Sequence, residues 1–181
     1  MQTPVAASCN TYEYLLSLQL LNQWTELHHE VELGVVIGKR GSSISEESAM
    51  DHVAGYCLSL DMTARQLQTE LKNKGLPWSL AKGFDTSCPV SSFIEKSRVV
   101  DPHDVGIWLR VNDELRQDSN TRNMIFSLPF LISYVSRYFT LEPGDLLLTG
   151  TPEGVGPVRD GDRITCGLTG LVEMSFKVSK L

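Results

Sequence analysis

The sequence predicts a mainly β, mixed α+β domain, and three observations carry that reading. Stretches with the two-residue period of a half-buried strand outnumber stretches with a helical period. Regular βαβ alternation and internal repeats are both missing, and 181 residues with 41% apolar content suffice for one core. A chain of this length buries roughly 70% of the surface it exposes when unfolded, so disulfides are not required.

Taken in order, residues 1 to about 26 hold a short apolar stretch around Leu15, Leu16, Leu18, Leu20 and Leu21, which reads as a helix or as nothing regular. From His28 the pattern sharpens: Val31, Leu33, Val35 and Ile37 alternate with Glu30, Glu32 and Gly34, placing both glutamates on one face of a strand. Ser43 or Ser45 can cap a short helix through Met50. Gly55 to Asp61 reads as a second strand with Asp61 at its end. A helix is predicted over Thr63 to Asn73, with Ala64, Leu67 and Leu71 inward, Arg65 and Gln68 projecting together, and Gly75 and Pro77 as stop signals. Strands return at Ile107 to Val111 and Glu114 to Gln117, joined by the turn-prone Asn112-Asp113, and at Leu146 to Thr149. Leu128 to Arg137 is a helix candidate, and the final strand sets Val172, Met174, Phe176 and Val178 against Glu173, Ser175, Lys177 and Ser179.

A net charge of −6 without a basic cluster lacks the electrostatic footprint of a nucleic-acid binder, and no apolar run approaches the roughly 20 residues of a membrane span. Cys9, Cys57, Cys88 and Cys166 are scattered and read as reduced thiols. The first basic residue is Lys39, so the N-terminus shows neither a signal peptide nor a mitochondrial presequence.

Chemistry gathers around Glu30, Glu32 and Asp61. Two carboxylates two apart on a strand, with a third ending its neighbour, form an all-oxygen pocket that selects Mg²⁺, Mn²⁺ or Ca²⁺ and leaves coordination positions open. On spacing alone, a solvated acidic strand face stays open as the alternative. His28 and His29 are adjacent and point to opposite faces, so at most one joins such a site. Lys82 is either a surface lysine or a cation beside the metal, and the run Leu148 to Gly156 is either a tight turn or a carboxylate cradle built from N–H groups and the Thr151 hydroxyl.

The order His29-Glu-Val-Glu-Leu-Gly34, Gly55-Tyr-Cys-Leu-Ser-Leu-Asp-Met-Thr-Ala-Arg65, Trp78-Ser-Leu-Ala-Lys82 and Thr149-Gly-Thr-Pro-Glu-Gly-Val-Gly156 resembles the fumarylacetoacetate hydrolase family. That resemblance runs from about Leu27 to the C-terminus. It implies a mixed β-sandwich roll, usually a homodimer, in the mitochondrion or cytosol. It also implies Glu30, Glu32 and Asp61 as ligands of Mg²⁺ or Mn²⁺, Lys82 as an active-site cation, and Arg65, Gln68 and Thr151 as contacts to a small 2-oxo acid. The implied activities are acylpyruvate hydrolysis and the decarboxylation or tautomerisation of oxaloacetate, all through an enolate stabilised by the metal and Lys82. The related upstream motifs, Gly-Arg-Asn-Tyr, a water-activating His with a nearby Glu, and Phe-x-Lys-Pro, do not precede Leu27. The expectation is therefore an N-terminally shortened fold, with a divergent segment at 1–26 and a catalytic domain at 27–181. Oxaloacetate chemistry is favoured over acylpyruvate hydrolysis, and the alternative is a catalytically impaired isoform that binds metal or 2-oxo acid.

Overall fold

Apolar alternation resolves into thirteen strands in three sheets among the described residues of the computed structural model, which are 26–180 together with the backbone at 12–13 and 18–20. The strands are β1 (Tyr12–Glu13), β2 (Leu18–Leu20), β3 (Leu27–His29), β4 (Val31–Ile37), β5 (Val53–Leu60), β6 (Thr63–Ala64), β7 (Ile94–Glu95), β8 (Gly106–Val111), β9 (Glu114–Asn120), β10 (Leu146–Leu148), β11 (Gly156–Val158), β12 (Arg163–Leu168) and β13 (Val172–Lys180). Four helices accompany them: α1 (Glu46–Ala49), α2 (Arg65–Asn73), α3 (Ser79–Lys82) and α4 (Leu128–Ser136). This is the expected mainly β, α+β class.

The first sheet runs β1-β13-β12-β8-β9, with β2 also on β13. The second runs β10-β4-β5-β7 and the third β11-β3-β6. Val31, Leu33, Val35, Leu58 and Leu60 of the second sheet join Ile107, Leu109, Ile164, Met174 and Phe176 of the first in one buried cluster. Removing that much apolar surface from water is the main stabilising term. The β8–β9 hairpin turns on Asn112 and Asp113 with φ of 50° and 67°, the left-handed pair that matches strand twist in a two-residue turn. Asn112 also donates to Asp162 Oδ1 at 2.8 Å and accepts from the Arg163 N–H at 2.9 Å, tying the hairpin tip to the start of β12.

Ser127 caps α4 by accepting from the Phe130 N–H at 3.3 Å. Leu128 and Ile132 of α4 enter the core, while Phe126, Phe130 and Tyr134 stack along its outer face with centroids 4.6 and 6.0 Å apart, and Tyr138 meets Tyr134 tilted at 59° and 5.4 Å. No helix among the described residues is long and apolar enough to cross a membrane.

Several elements differ from the sequence reading. The helix predicted from Thr63 begins at Arg65, because Thr63 and Ala64 pair antiparallel with His28 and Leu27 as β6. Residues 18–20 form a strand parallel to β13, so the helical or irregular reading fails there, while Leu15, Leu16 and Leu21 lie outside the described residues. Strand β5 starts at Val53, two residues before Gly55, and stops at Leu60. Strands β11 and β12 and helix α3 were not anticipated. The α1 cap falls on Ser45, although its side chain makes no capping bond.

Candidate metal centre

Strand register assembles the acids. Pairing of Val31 with Leu60 sets Glu30, just ahead of β4, against Asp61, just past β5, and the Asp61 N–H donates to the Glu30 carbonyl at 2.8 Å. Glu32 follows two residues on, hence on the same face. Ligand oxygens of Glu30, Glu32 and Asp61 all lie within 4.8 Å of one another. Glu30 and Glu32 are 8% and 4% exposed, which removes the solvated-face reading: buried carboxylates require compensating charge.

Lys82 is not a surface lysine. Helix α3 carries it inward, where its Nζ donates to Glu30 Oε2 at 2.9 Å and to Asp61 Oδ2 at 2.6 Å. Burial works against its charge, yet the two carboxylates outweigh that and hold its pKa above the ordinary lysine value. Arg65 opens α2 and donates from Nη2 to Glu30 Oε1 at 2.5 Å, from Nη1 to Gln68 Oε1 at 2.6 Å, and from Nε to His28 Nδ1 at 3.2 Å. Glu30 is buried, but Lys82 and Arg65 together pull its pKa below the usual value. Asp61 goes the other way: burial dominates and raises it despite Lys82. Glu32, buried and in no ion pair among the described residues, is pushed up to about 7 by desolvation, opposed by the Gly150 N–H and by Lys82 and reinforced by Asp61 and Glu30.

The loop after β10 closes the site from the other side. The Gly150 N–H donates to Glu32 Oε2 at 2.6 Å. The Thr149 and Thr151 hydroxyls donate to the carbonyls of Leu33 and Val31 at 2.8 and 2.9 Å, so that side chains continue the ladder of β10 against β4. Gly154, at φ +93°, follows; a Cβ there would lie 1.9 Å from the Arg116 carbonyl. That approach admits only glycine.

All seven predicted site residues thus share one neighbourhood: Glu30, Glu32, Asp61 and Lys82 in direct reach, Arg65 and Gln68 chained to Glu30, and Thr151 beside Gly150. The two histidines diverge as expected: His28 Nε2 lies 2.8 Å from Glu26 Oε1, and buried His29 meets Gln117 Oε1 through Nδ1 at 2.9 Å. The Gly150 N–H belongs to the Leu148–Gly156 run whose N–H groups are candidates to hold a carboxylate, whereas Gln117, in the sequence only the end of a strand, gives no such signal. A cavity of about 510 Å³ is lined by the Thr149–Glu153 loop itself together with Leu33, Ile107, Met124 and Phe126 among others, and Glu30, Glu32 and Asp61 are not part of its lining.

The donor set suits a hard divalent cation. Glu30, Glu32 and Asp61 would hold such an ion, their oxygens already lying within 4.8 Å of one another. Lys82 occupies the space between Glu30 and Asp61 as a counter-ion and must yield to such an ion.

Comparison with known proteins finds relatives along most of the chain. The family model described as fumarylacetoacetate (FAA) hydrolase C-terminal matches residues 16–179. A mitochondrial oxaloacetate tautomerase of Mus musculus is 61% identical over 154 residues, covering 85% of this chain and 70% of that protein. A mitochondrial oxaloacetate decarboxylase of Dictyostelium discoideum is 50% identical over 173 residues, covering 93% and 79%. Among solved structures, fumarylpyruvate hydrolase from Pseudomonas aeruginosa in complex with Mn²⁺ and pyruvate superposes with a TM-score of 0.88 at 43% identity, covering 92% of this chain and 71% of that one.

Proposed function

This chain belongs to the fumarylacetoacetate hydrolase family, and from that premise we propose that it is a Mg²⁺- or Mn²⁺-dependent enzyme acting on small 2-oxo acids, with oxaloacetate tautomerisation or decarboxylation as its reaction. One observation carries the proposal: three carboxylates, two buried and one half-buried, converge within 4.8 Å, with a lysine bridging two of them. Glu30, Glu32 and Asp61 are the proposed ligands. A divalent cation held there supplies a Lewis acid for the 2-oxo oxygen.

The chain's own groups do the rest. Lys82 keeps a positive charge beside the acids and stabilises the negative charge that an enolate acquires. Arg65 has five N–H donors and uses three, leaving two for a substrate carboxylate, while Gln68 fixes the guanidinium plane. The Thr151 hydroxyl proton is committed to the Val31 carbonyl, so contact from that residue falls to its backbone N–H and a remaining lone pair. The mitochondrial compartment named for the relatives and a homodimer belong to the same proposal.

The test is a titration of the metal-stripped chain with Mg²⁺ and Mn²⁺, followed by thermal unfolding. At a free ion concentration 100 times Kd the folded state gains about 2.7 kcal/mol, or roughly 5–10 °C in midpoint for a domain of this size. Glu32→Ala should abolish the rise. An equal rise in Glu32→Ala rejects the ligand set. Ion binding without turnover of oxaloacetate or acetylpyruvate rejects the enzyme and leaves the binding isoform.

A further inference from the structure

Gln117 is fully buried on β9, yet it lies outside the acid cluster and none of its bonds reaches a carboxylate. Its amide is saturated. Oε1 accepts from the Val31 N–H at 3.1 Å and from His29 Nδ1 at 2.9 Å, while Nε2 donates to Thr151 Oγ1 at 2.8 Å and to the Pro152 carbonyl at 3.0 Å. Two of those partners are backbone groups of fixed polarity, a donor at Val31 and an acceptor at Pro152. They settle which end of the amide is oxygen. The hydrogen at Thr151 then has one direction left. Because Thr151 Oγ1 accepts from Gln117, its own proton goes to the Val31 carbonyl at 2.9 Å.

Both backbone polar groups of Val31 are therefore held from one side chain, the N–H directly and the carbonyl through Thr151. Val31 is the residue between Glu30 and Glu32. Strand β10 ends at Leu148, opposite Gly34, so this stretch of β4 has no strand neighbour on that side and depends on side chains for its hydrogen bonds. A bulge aims the amide at it. In the β8–β9 ladder Leu109 pairs with Gln117 and Arg110 with Leu115, leaving Arg116 as the extra residue. Gly154 packs on the Arg116 carbonyl, which keeps the Thr151–Pro152 stretch against the amide.

We infer that Gln117 is a positioning residue of the metal centre: through Val31 and Thr151 it sets the spacing and direction of the Glu30 and Glu32 carboxylates without touching either. The inference rests on the proposed metal-ligand reading. Groups that orient ligands from behind typically contribute about 10- to 100-fold in metal affinity. The amide's shape explains why glutamine serves, since only it offers two acceptor and two donor positions at that length.

The experiment measures Mn²⁺ affinity directly, by electron paramagnetic resonance of the free ion, in the whole chain without substrate. Gln117→Met, which keeps length and removes every hydrogen bond, should weaken Mn²⁺ binding about tenfold or more. Ile132→Val, a core change on α4, which contributes no residue to the site, should lower the unfolding midpoint and leave Mn²⁺ affinity unchanged, separating positioning from general stability. Thr151→Val removes only the second arm and should also weaken binding, with Thr151→Ser restoring it; this pair decides the matter if Gln117→Met does not fold. Wild-type Mn²⁺ affinity in both Gln117→Met and Thr151→Val overturns the inference while leaving the ligand set intact. Absence of Mn²⁺ binding by the unaltered chain overturns the ligand set, and the inference with it.

Discussion

Lys82→Met lowers turnover of oxaloacetate by about 10²-fold or more at saturating Mn²⁺, while the chain stays folded. Methionine keeps the length and removes the charge. In the present arrangement Nζ sits 2.9 Å from Glu30 and 2.6 Å from Asp61, with a quarter of the side chain exposed, so the ammonium faces the acids and not bulk water. In the metal-free chain burial opposes its charge, and those carboxylates outweigh burial and raise its pKa. An interaction made only as negative charge develops on the substrate reduces kcat and kcat/KM alike when removed, whereas loss of simple binding would raise KM alone. The metal-free variant should also melt earlier, because three carboxylates lose a counter-ion, and Mn²⁺ should narrow that difference. Unchanged kcat in Lys82→Met would return the lysine to a purely structural pairing.

The metal-free chain loses stability as pH rises from about 5 to 8, and Glu32 is the cause. Burial pushes its folded-state pKa up to about 7 from the ordinary glutamate value of 4.5, so between these values the folded chain holds a proton that the unfolded chain has released. Stability falls with pH wherever the folded state binds more protons. The contribution is thus fully present below about 4.5 and lost as pH passes about 7, on the order of 3 kcal/mol, or roughly 6–12 °C in midpoint. Asp61, also raised, adds in the same direction, while Glu30, lowered, contributes stability that is lost only on acidification. A divalent ion competes with the Glu32 proton, so the stabilisation it confers should grow over the same interval. Unfolding midpoints from pH 5 to 8, with and without Mn²⁺, read both effects. Glu32→Gln should flatten the metal-free profile; an unaltered slope in that variant would assign the proton elsewhere.

Much of this was legible where local pattern and final structure agree. The hairpin about Asn112-Asp113 and the alternation from Val172 onward follow their apolar period, and Val31 to Ile37 keeps its apolar alternation although both of its faces are covered. What escaped is held by distant partners. Strand β12 carries Ile164, Cys166 and Leu168 inward, but its signal is broken by Gly167 and its place is fixed by β8 and β13 on either side. Thr63 and Ala64 look like the first turn of a helix, yet Leu27 and His28 take their backbone into a sheet. At the site, the acids were readable because carboxylates two apart on a strand must share a face. The role of Gln117 was not, since it acts through a bulge at Arg116 that no composition announces.

The side-chain rungs from Thr149 and Thr151 to the carbonyls of Leu33 and Val31 also bear on which mutations the chain can accept. A backbone ladder is indifferent to residue identity, because every residue but proline carries the same N–H. A hydroxyl rung is not. Both threonines lie in a partly exposed loop, where variation is ordinarily tolerated. Here that expectation inverts: saturation mutagenesis should find serine accepted and valine, of nearly the same shape, rejected at both positions, so that tolerance follows hydrogen bonding and not exposure.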